Sequence, residues 1–414
     1  MTDGPGVPRS SYGVVVLGGL GYTCMMFSWF SHAAFLTPIV ETLDLTGTQS
    51  GLLVGAIPLV YVPFSIVTGV VTDRVGARRA LFGALALIGV AQVGRGLAGG
   101  YPALLGATVL LGIGATGITL GLPKLVADLF PSRLLGTMST VYVLGSYAGT
   151  ALVFTAKPAL GAAAGGWRPV FVWTGVAVLA FAGLWLAVVT VHARRYPARY
   201  GGDTGQTFTP GSIRHDLGLV FRHRGMRLLV VIGAAYLLVL HGLQGWLPRM
   251  LELRGLSADA AGWSATSFVA GQAVGTIVVP PASDRLGRRR AAVAVCGATA
   301  VGGIALLALV GTVPPTVLAG VAVGIGIGGV APLLRALPTE FEEIGPGLTA
   351  TAVSLVFAVG EFGGFAGPFL VGSLRDLTGS FVAGLAVLAL GGVAIFAAAL
   401  ALPETRAPVA DRAT

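Results

Sequence analysis

Long apolar stretches alternate with short polar ones along nearly the whole chain. Each stretch has about the 20 residues that a helix needs to cross the ~30 Å hydrocarbon core of a bilayer. Six such segments are predicted in the first half, at 12–36, 50–72, 80–98, 102–126, 136–158 and 168–191. Six more are predicted in the second half, at 227–249, 258–282, 291–311, 314–337, 349–373 and 380–402. The expected fold is an all-α membrane protein with twelve transmembrane helices.

The composition supports a membrane protein and excludes several other classes. Of the 414 residues 55% are hydrophobic and 10% are charged, with a mean hydropathy of +0.85, whereas soluble domains carry roughly a quarter charged residues. The net charge of +9 is explained by arginines in cytoplasmic loops, so we expect the lipid bilayer and not nucleic acid as the partner. The two cysteines, Cys24 and Cys296, lie inside apolar segments, which predicts neither a disulfide framework nor a metal site. No cofactor is expected.

A charged turn occurs twice in the chain. The sequence GVVTDRVGARR at 69–79 is repeated 211 residues later as PPASDRLGRRR at 280–290. A repeated helical unit with a charged turn after its second segment is typical of a solute carrier. The glycines and charged residues of the two turns are Gly69, Asp73, Arg74, Gly76, Arg78, Arg79, Asp284, Arg285, Gly287, Arg289 and Arg290.

The repeat divides the chain into an N-terminal six-helix bundle at 1–191, a linker at 192–226 and a C-terminal bundle at 227–414 with a short cytoplasmic tail. The linker contains six arginines, a seventh (Arg227) follows it directly, and a short surface helix is predicted near 212–224. Most basic residues fall in loops on one side of the predicted membrane. We therefore expect a multi-pass protein of the plasma membrane with both termini in the cytoplasm.

The paired turns and the twelve segments resemble the major facilitator superfamily. The turn at 69–79 matches the family pattern of Gly, Asp-Arg, Gly and Arg-Arg, and 284–290 matches its degenerate second copy. The resemblance implies two six-helix domains that expose a midplane cavity alternately to each side. It also implies that the glycines and charged residues of the two turns form a cytoplasmic gate, which acts as a latch between the domains. The candidate partners are Glu340, Glu342 and Glu343 for the arginines of the first turn, and Asp128 for Arg288–Arg290.

Short stretches of the sequence indicate which members of this family the chain resembles. The stretches at 27–43, 246–248 and 261–268 resemble the cyanate- and nitrate-type anion carriers, but Ser65 and Thr276 stand where nitrate carriers place substrate-binding arginines. Thr108 stands where many proton-coupled members have an arginine, and GSYAGT at 145–150 lacks the proline of the drug-antiporter motif. These departures weigh against nitrate transport and drug–proton antiport.

Ionisable residues inside membrane segments are costly and usually functional. Lys124 and Arg335 are 211 residues apart, the offset of the charged turns, and together suit a small carboxylate. The alternative is that both extend to the headgroups, as is also expected of Arg95 and Lys157. Further candidates for the substrate site are His241, Trp246, Trp29 and Tyr142, and the candidates for coupling are Glu361 and His32.

These features predict a secondary transporter that moves a small organic or inorganic anion by alternating access, with or without proton coupling. It is expected to act as a monomer. Efflux of an amphipathic, drug-like compound and a non-transporting sensor with a carrier fold remain alternatives. An enzyme is not expected, because the sequence has no Ser/His/Asp set, no His-Glu-x-x-His spacing and no nucleotide-binding loop.

Overall fold

The computed structural model describes residues 7–200, 218–341 and 343–403, without the side chains of 345–347 and 350. Glu342, Arg214, the tail arginines Arg406 and Arg412, and residues 212–217 of the predicted surface helix at 212–224 lie outside the described residues. The helices of the first half are α1 (Arg9–Ala34), α2 (Leu36–Leu43), α3 (Gly47–Val75), α4 (Ala77–Leu97), α5 (Tyr101–Leu129), α6 (Leu135–Ala164) and α7 (Trp167–Arg195). Those of the second half are α8 (Arg224–Leu253), α9 (Ala258–Leu286), α10 (Arg289–Leu309), α11 (Val313–Ala336), α12 (Gly345–Thr378) and α13 (Val382–Ala401).

The helices are long and apolar, as the hydrophobic pattern predicts. Within the described ranges no strand occurs, and eleven helices are long and apolar enough to cross a membrane. The remaining long helix, α6, has 30 residues and also exceeds the length of a span. The predicted all-α membrane fold is confirmed.

A short helix that the hydrophobic pattern did not predict, α2, follows the first apolar segment. Helix α1 ends at Ala34, and α2 begins at Leu36 after Phe35, whose φ is −95° and ψ 18°. Pro38 has no backbone N–H, so it cannot donate the i→i−4 hydrogen bond to the carbonyl of Ala34. A change of direction at Phe35 is therefore built into the sequence.

Small residues allow the helices to pack closely. A Cβ atom added to Gly175 of α7 would lie 2.7 Å from the backbone nitrogen of Val93 in α4, and one added to Gly114 of α5 would lie 3.0 Å from the carbonyl oxygen of Ala84. In the second half, a Cβ added to Gly271 of α9 would lie 2.5 Å from the carbonyl oxygen of Val321 in α11. Because lipid provides little hydrophobic drive between helices, such backbone contact supplies the packing energy.

The described residues form two compact units. One contains those of Met1–Asp44 and Val60–Gln206, and the other those of Leu45–Leu59 and Thr207–Thr414. The boundary crosses α3, so the first part of that helix packs with the second unit and the remainder with the first. This division places each candidate site residue in one unit or the other.

Candidate functional site

The charged turn of the first unit forms around a glycine with a positive φ. Gly76 has φ +80°, a conformation that side chains other than glycine rarely adopt, and it separates α3 from α4. Asp73, in the last turn of α3, accepts a hydrogen bond of 2.7 Å from Lys124 Nζ of α5. Arg78 Nη1 donates to Thr190 Oγ1 at 3.3 Å. Lys124 is therefore already bound to a carboxylate of the turn.

The second turn uses a different set of partners. Gly287 has φ +60°, so the glycine requirement is common to both turns. Arg289 Nη2 lies 2.5 Å from Asp284 Oδ1, and Arg289 Nε donates to Glu340 Oε1 at 2.8 Å. Glu340 thus pairs within its own unit, and Glu343 lies 3.4 Å from His223 Nε2. The latch between the two halves remains a prediction.

The other residues predicted in the turns are placed as follows. Arg74, Arg79 and Arg285 are exposed, whereas Gly69 and Arg290 are half-buried. Arg289 is buried, with a relative exposure of 8%, because its guanidinium lies between its two carboxylate partners. Charged groups at these helix ends can bind one another or headgroups as well as the opposite half.

Arg335 does not make the contact that its counterpart Lys124 makes. Its Nη1 donates to the carbonyl oxygen of Ala331, one turn earlier in α11, at 3.2 Å. Its Cζ lies 4.5 Å from the centre of the Phe357 ring of α12. No ion pair to Arg335 is present among the described residues, and the side chain is exposed. Arg335 can therefore accept an anion without first losing a carboxylate partner.

Glu361 follows Phe357 by four residues, so both lie on the same face of α12. The Glu361 Oε2 atom is buried and has no hydrogen-bond partner in the described part of the chain. A Cβ atom added to Gly364 would lie 3.0 Å from this oxygen and 2.9 Å from His241 Cδ2 of α8. The carboxyl and the imidazole therefore both lie close to the Gly364 position, and an added methyl group there would displace them.

Glycines allow α8 and α12 to approach closely in the region of His241 and Glu361. A Cβ added to Gly363 or Gly367 would collide with the carbonyl oxygens of Ala234 or Leu238, respectively. The two glycines are four residues apart and line the face of α12 that packs against α8. His241, three residues after Leu238 on α8, is buried with a relative exposure of 8%.

The predicted aromatic residues are mainly engaged in packing. Trp246 is 2% exposed, and its indole N–H donates to the carbonyl oxygen of Pro368 at 2.9 Å. In the first unit, the rings of Trp29 and Tyr61 are 5.4 Å apart, and those of Tyr142 and Tyr22 are stacked at 6.0 Å. His32 is fully buried. Their roles in substrate binding or coupling remain predictions.

Two basic residues differ from the sequence-based expectation. Arg95 is 0% exposed and Lys157 is 8% exposed, so neither side chain reaches outward from its unit. The expectation that they anchor at headgroups is wrong, because the surrounding helices enclose them. Among the described residues, no group of three or more His, Cys, Asp or Glu side chains that could hold a metal ion is found.

Two helical units with matching charged turns and a buried carboxyl group define a membrane transporter rather than an enzyme. The sequence profile of the Major Facilitator Superfamily matches residues 18–368 and 247–413. The chain belongs to this superfamily and is a multi-pass membrane protein.

Similar proteins include named transporters. The chain is 28% identical over 372 residues to the 3-(3-hydroxy-phenyl)propionate transporter of Escherichia coli (strain K12), covering 86% of each protein. It is 27% identical over 322 residues to the gentisate transporter of Corynebacterium glutamicum, covering 75% of this chain and 69% of that protein. Its fold is similar to that of a bacterial homologue of the human lysosomal transporter Spinster in an inward-facing, unoccupied conformation. The TM-score is 0.81 at 19% identity, covering 98% of this chain and 100% of the other.

Proposed function

We propose that the protein is a secondary transporter that carries a small aromatic carboxylate together with a proton. The arrangement of Arg335, Phe357, Glu361 and His241 carries this proposal. It combines an exposed cation on α11 with an aromatic ring and a carboxyl group that share one face of α12. The relatives named for hydroxyphenylpropionate and gentisate support an organic acid as the substrate class.

Arg335 is the proposed ligand of the substrate carboxylate. A guanidinium binds a carboxylate through two parallel N–H···O bonds, and Arg335 has no carboxylate partner among the described residues. The adjacent Phe357 provides a ring face for an aromatic substrate. Lys124 is the weaker candidate, because Asp73 already neutralises it at 2.7 Å.

Glu361 is the proposed proton carrier. A carboxylate without hydrogen-bond donors is unfavourable away from water, whereas the protonated acid is tolerated there. Protonation would therefore accompany the state in which Glu361 Oε2 is buried. The proposed exchange partner of Glu361 is His241, whose imidazole lies near the same Gly364 position and can take up or release a proton.

Uptake into proteoliposomes tests this function. Purified protein is reconstituted and given labelled 3-hydroxyphenylpropionate or gentisate, with and without an inside-alkaline pH gradient. We expect gradient-driven accumulation in the wild type. We expect Arg335→Ala to lower affinity for both acids, and Glu361→Gln to retain acid exchange while losing gradient-driven accumulation. Transport restricted to neutral or cationic amphipathic compounds, unaffected by both substitutions, would favour drug efflux instead.

The proposal places the protein in the plasma membrane with both termini in the cytoplasm, acting as a monomer. The excess of arginine in loops predicted on one side supports this orientation. Cysteine labelling of the linker and of the predicted outer loops with a membrane-impermeant reagent would test it.

A further inference from the structure

Arg95 lies in the last turn of α4, in the first unit, and is enclosed by side chains of α1 and α7. It is 0% exposed. Its Nη1 donates to the carbonyl oxygen of Ser28 at 2.8 Å, to Ser31 Oγ at 3.3 Å and to Gln92 Oε1 at 2.9 Å. All these hydrogen bonds come from one of the three guanidinium nitrogens.

The other two nitrogens form an unused edge. Arg95 Nε and Nη2 are buried and have no hydrogen-bond partner, and no carboxylate of the described residues pairs with the guanidinium. The Nε–Nη2 edge is one of the two-pronged edges through which arginine binds anions. A buried cation without a counter-charge is strongly unfavourable, so an anion at this edge would relieve a real cost.

The contacts that the guanidinium makes involve Nη1 and one face, and not the Nε–Nη2 edge. The Phe171 ring covers a face of the guanidinium, with its centre 4.9 Å from Arg95 Cζ. Such a contact uses the face of the cation and not its edge. Ser28 Oγ is a further buried donor without a partner among the described residues, and it belongs to a residue that already contacts Arg95.

Neighbouring hydrogen bonds hold these groups in place. Gln92 Nε2 donates to Ser31 Oγ at 3.1 Å and to Thr174 Oγ1 at 3.2 Å, which links α1, α4 and α7. Ser31 Oγ in turn donates to the carbonyl oxygen of Ser28 at 2.8 Å. The network fixes the Arg95 side chain without supplying a negative charge.

We propose that Arg95 and Ser28 form a buried binding site for a small inorganic anion of the halide class. Ser28, Ser31, Gln92 and Arg95 are each 0% exposed, so the enclosure favours a compact monatomic ion over an organic acid. The anion neutralises Arg95 and joins the end of α1 to α4, close to the break at Phe35. This site is separate from Arg335 and Glu361, which belong to the other unit.

Chloride-dependent stability of the full-length protein tests this site. Melting temperature is measured in detergent by tryptophan fluorescence while chloride replaces gluconate at constant ionic strength. We expect a saturating increase of a few degrees in chloride and bromide, because a ligand that binds only the folded state stabilises it by mass action. Ser28→Ala is expected to shift the half-saturating chloride concentration several-fold upward. Arg95→Lys, which keeps the charge and removes the two-pronged edge, is expected to lose most of the response.

Arg168→Lys is the matched control. Arg168 lies in the same unit, donates to the carbonyl oxygen of Ala98 and stacks on Trp167 with its Cζ 4.4 Å from the ring centre, but it is not fully buried. Its variant should respond to chloride as the wild type does. The proposal is overturned if the wild type melts at the same temperature in chloride and gluconate. It is also overturned if Ser28→Ala and Arg168→Lys give the same titration curve, which remains measurable even if Arg95→Lys does not fold.

Discussion

The carboxylate of Asp376, near the end of α12, binds the first residue of α3. Asp376 Oδ1 accepts a hydrogen bond from the Gly47 backbone N–H at 2.6 Å. Its Oδ2 accepts from the backbone N–H and the hydroxyl of Thr48, each at 2.7 Å. The first N–H groups of a helix have no partner within that helix, and they favour a negative charge. Asp376 thus caps α3 from another helix.

Removing this cap should destabilise the protein. Asp376→Ala loses all three hydrogen bonds, and we expect a cost of about 1 kcal/mol, the usual value for loss of a helix cap. The melting temperature in detergent should fall accordingly. Asp376→Asn retains an acceptor oxygen and should lie between the wild type and the alanine variant. Equal melting temperatures for all three proteins would show that the cap contributes no stability.

The packing of α3 against α12 should be equally sensitive to a single methyl group. A Cβ added to Gly51 would lie 2.5 Å from the carbonyl oxygen of Pro368, whereas one added to Gly83 has nothing within 4 Å. We expect Gly51→Ala to cost about 1–3 kcal/mol, the range for overpacking. Gly83→Ala should be neutral or slightly stabilising, because alanine is the better helix former. The melting temperatures of the two variants separate the cost of a collision with the backbone of α12 from the gain in helix propensity.

The ion pair between Asp73 and Lys124 predicts a charge-dependent phenotype. We expect Asp73→Asn to reduce transport without lowering the amount of protein in the membrane. The double variant Asp73→Lys with Lys124→Asp should recover part of the transport activity that Asp73→Asn loses. It places opposite charges at the same two positions, which in the wild type form an ion pair of 2.7 Å. Exposed pairs contribute about 0.2–1 kcal/mol, which can still shift a near-balanced conformational equilibrium. If Lys124 instead binds the substrate, the double variant will be as inactive as Lys124→Ala.

The fold could be predicted from the sequence, because each membrane helix corresponds to a long, nearly uncharged apolar segment. The length and apolarity of each segment indicated a span, and the repeated Asp-Arg-x-Gly pattern marked both turns. Gly76 and Gly287 have the positive φ that makes glycine necessary there. The short helix α2 was not predicted, since its 8 residues are too few to span a membrane and begin where the predicted segment 12–36 ends.

The site was less predictable, because its pairings depend on which helices are neighbours. Lys124 and Asp73 are 51 residues apart, and no local pattern connects them. Arg95 lies near the end of a predicted segment, which favoured a headgroup anchor, and only its enclosure by α1 and α7 shows otherwise. Gln92, one turn before Arg95, was the available signal, since a second polar residue on the same helix face indicates a buried network.

Tyr200 should give the protein a specific sensitivity to alkaline pH. Its hydroxyl lies 2.9 Å from His192 Nδ1, and burial raises the pKa of the Tyr200 phenol above its ordinary value of 10.0. The folded state therefore keeps the proton at pH values where the unfolded chain releases it, so stability falls as pH rises above about 10. Tyr200→Phe should melt lower at pH 8, because it loses the hydrogen bond, but the difference should narrow at pH 10.5. A constant difference at both pH values would contradict this assignment.

Gly364 should be necessary for coupling even though it has no functional group. An alanine Cβ there would lie 2.9 Å from His241 Cδ2 and 3.0 Å from Glu361 Oε2, so both side chains would have to move. We expect Gly364→Ala to lose most of the accumulation driven by an inside-alkaline gradient while retaining acid exchange. Gly302→Ala, in α10 of the same unit, is the matched control, because an added Cβ there has nothing within 4 Å. If the two variants accumulate substrate equally well, the spacing of His241 and Glu361 does not matter for coupling. If Gly364→Ala also loses exchange, the glycine is needed for the transport cycle as a whole, and the proton-specific role is wrong.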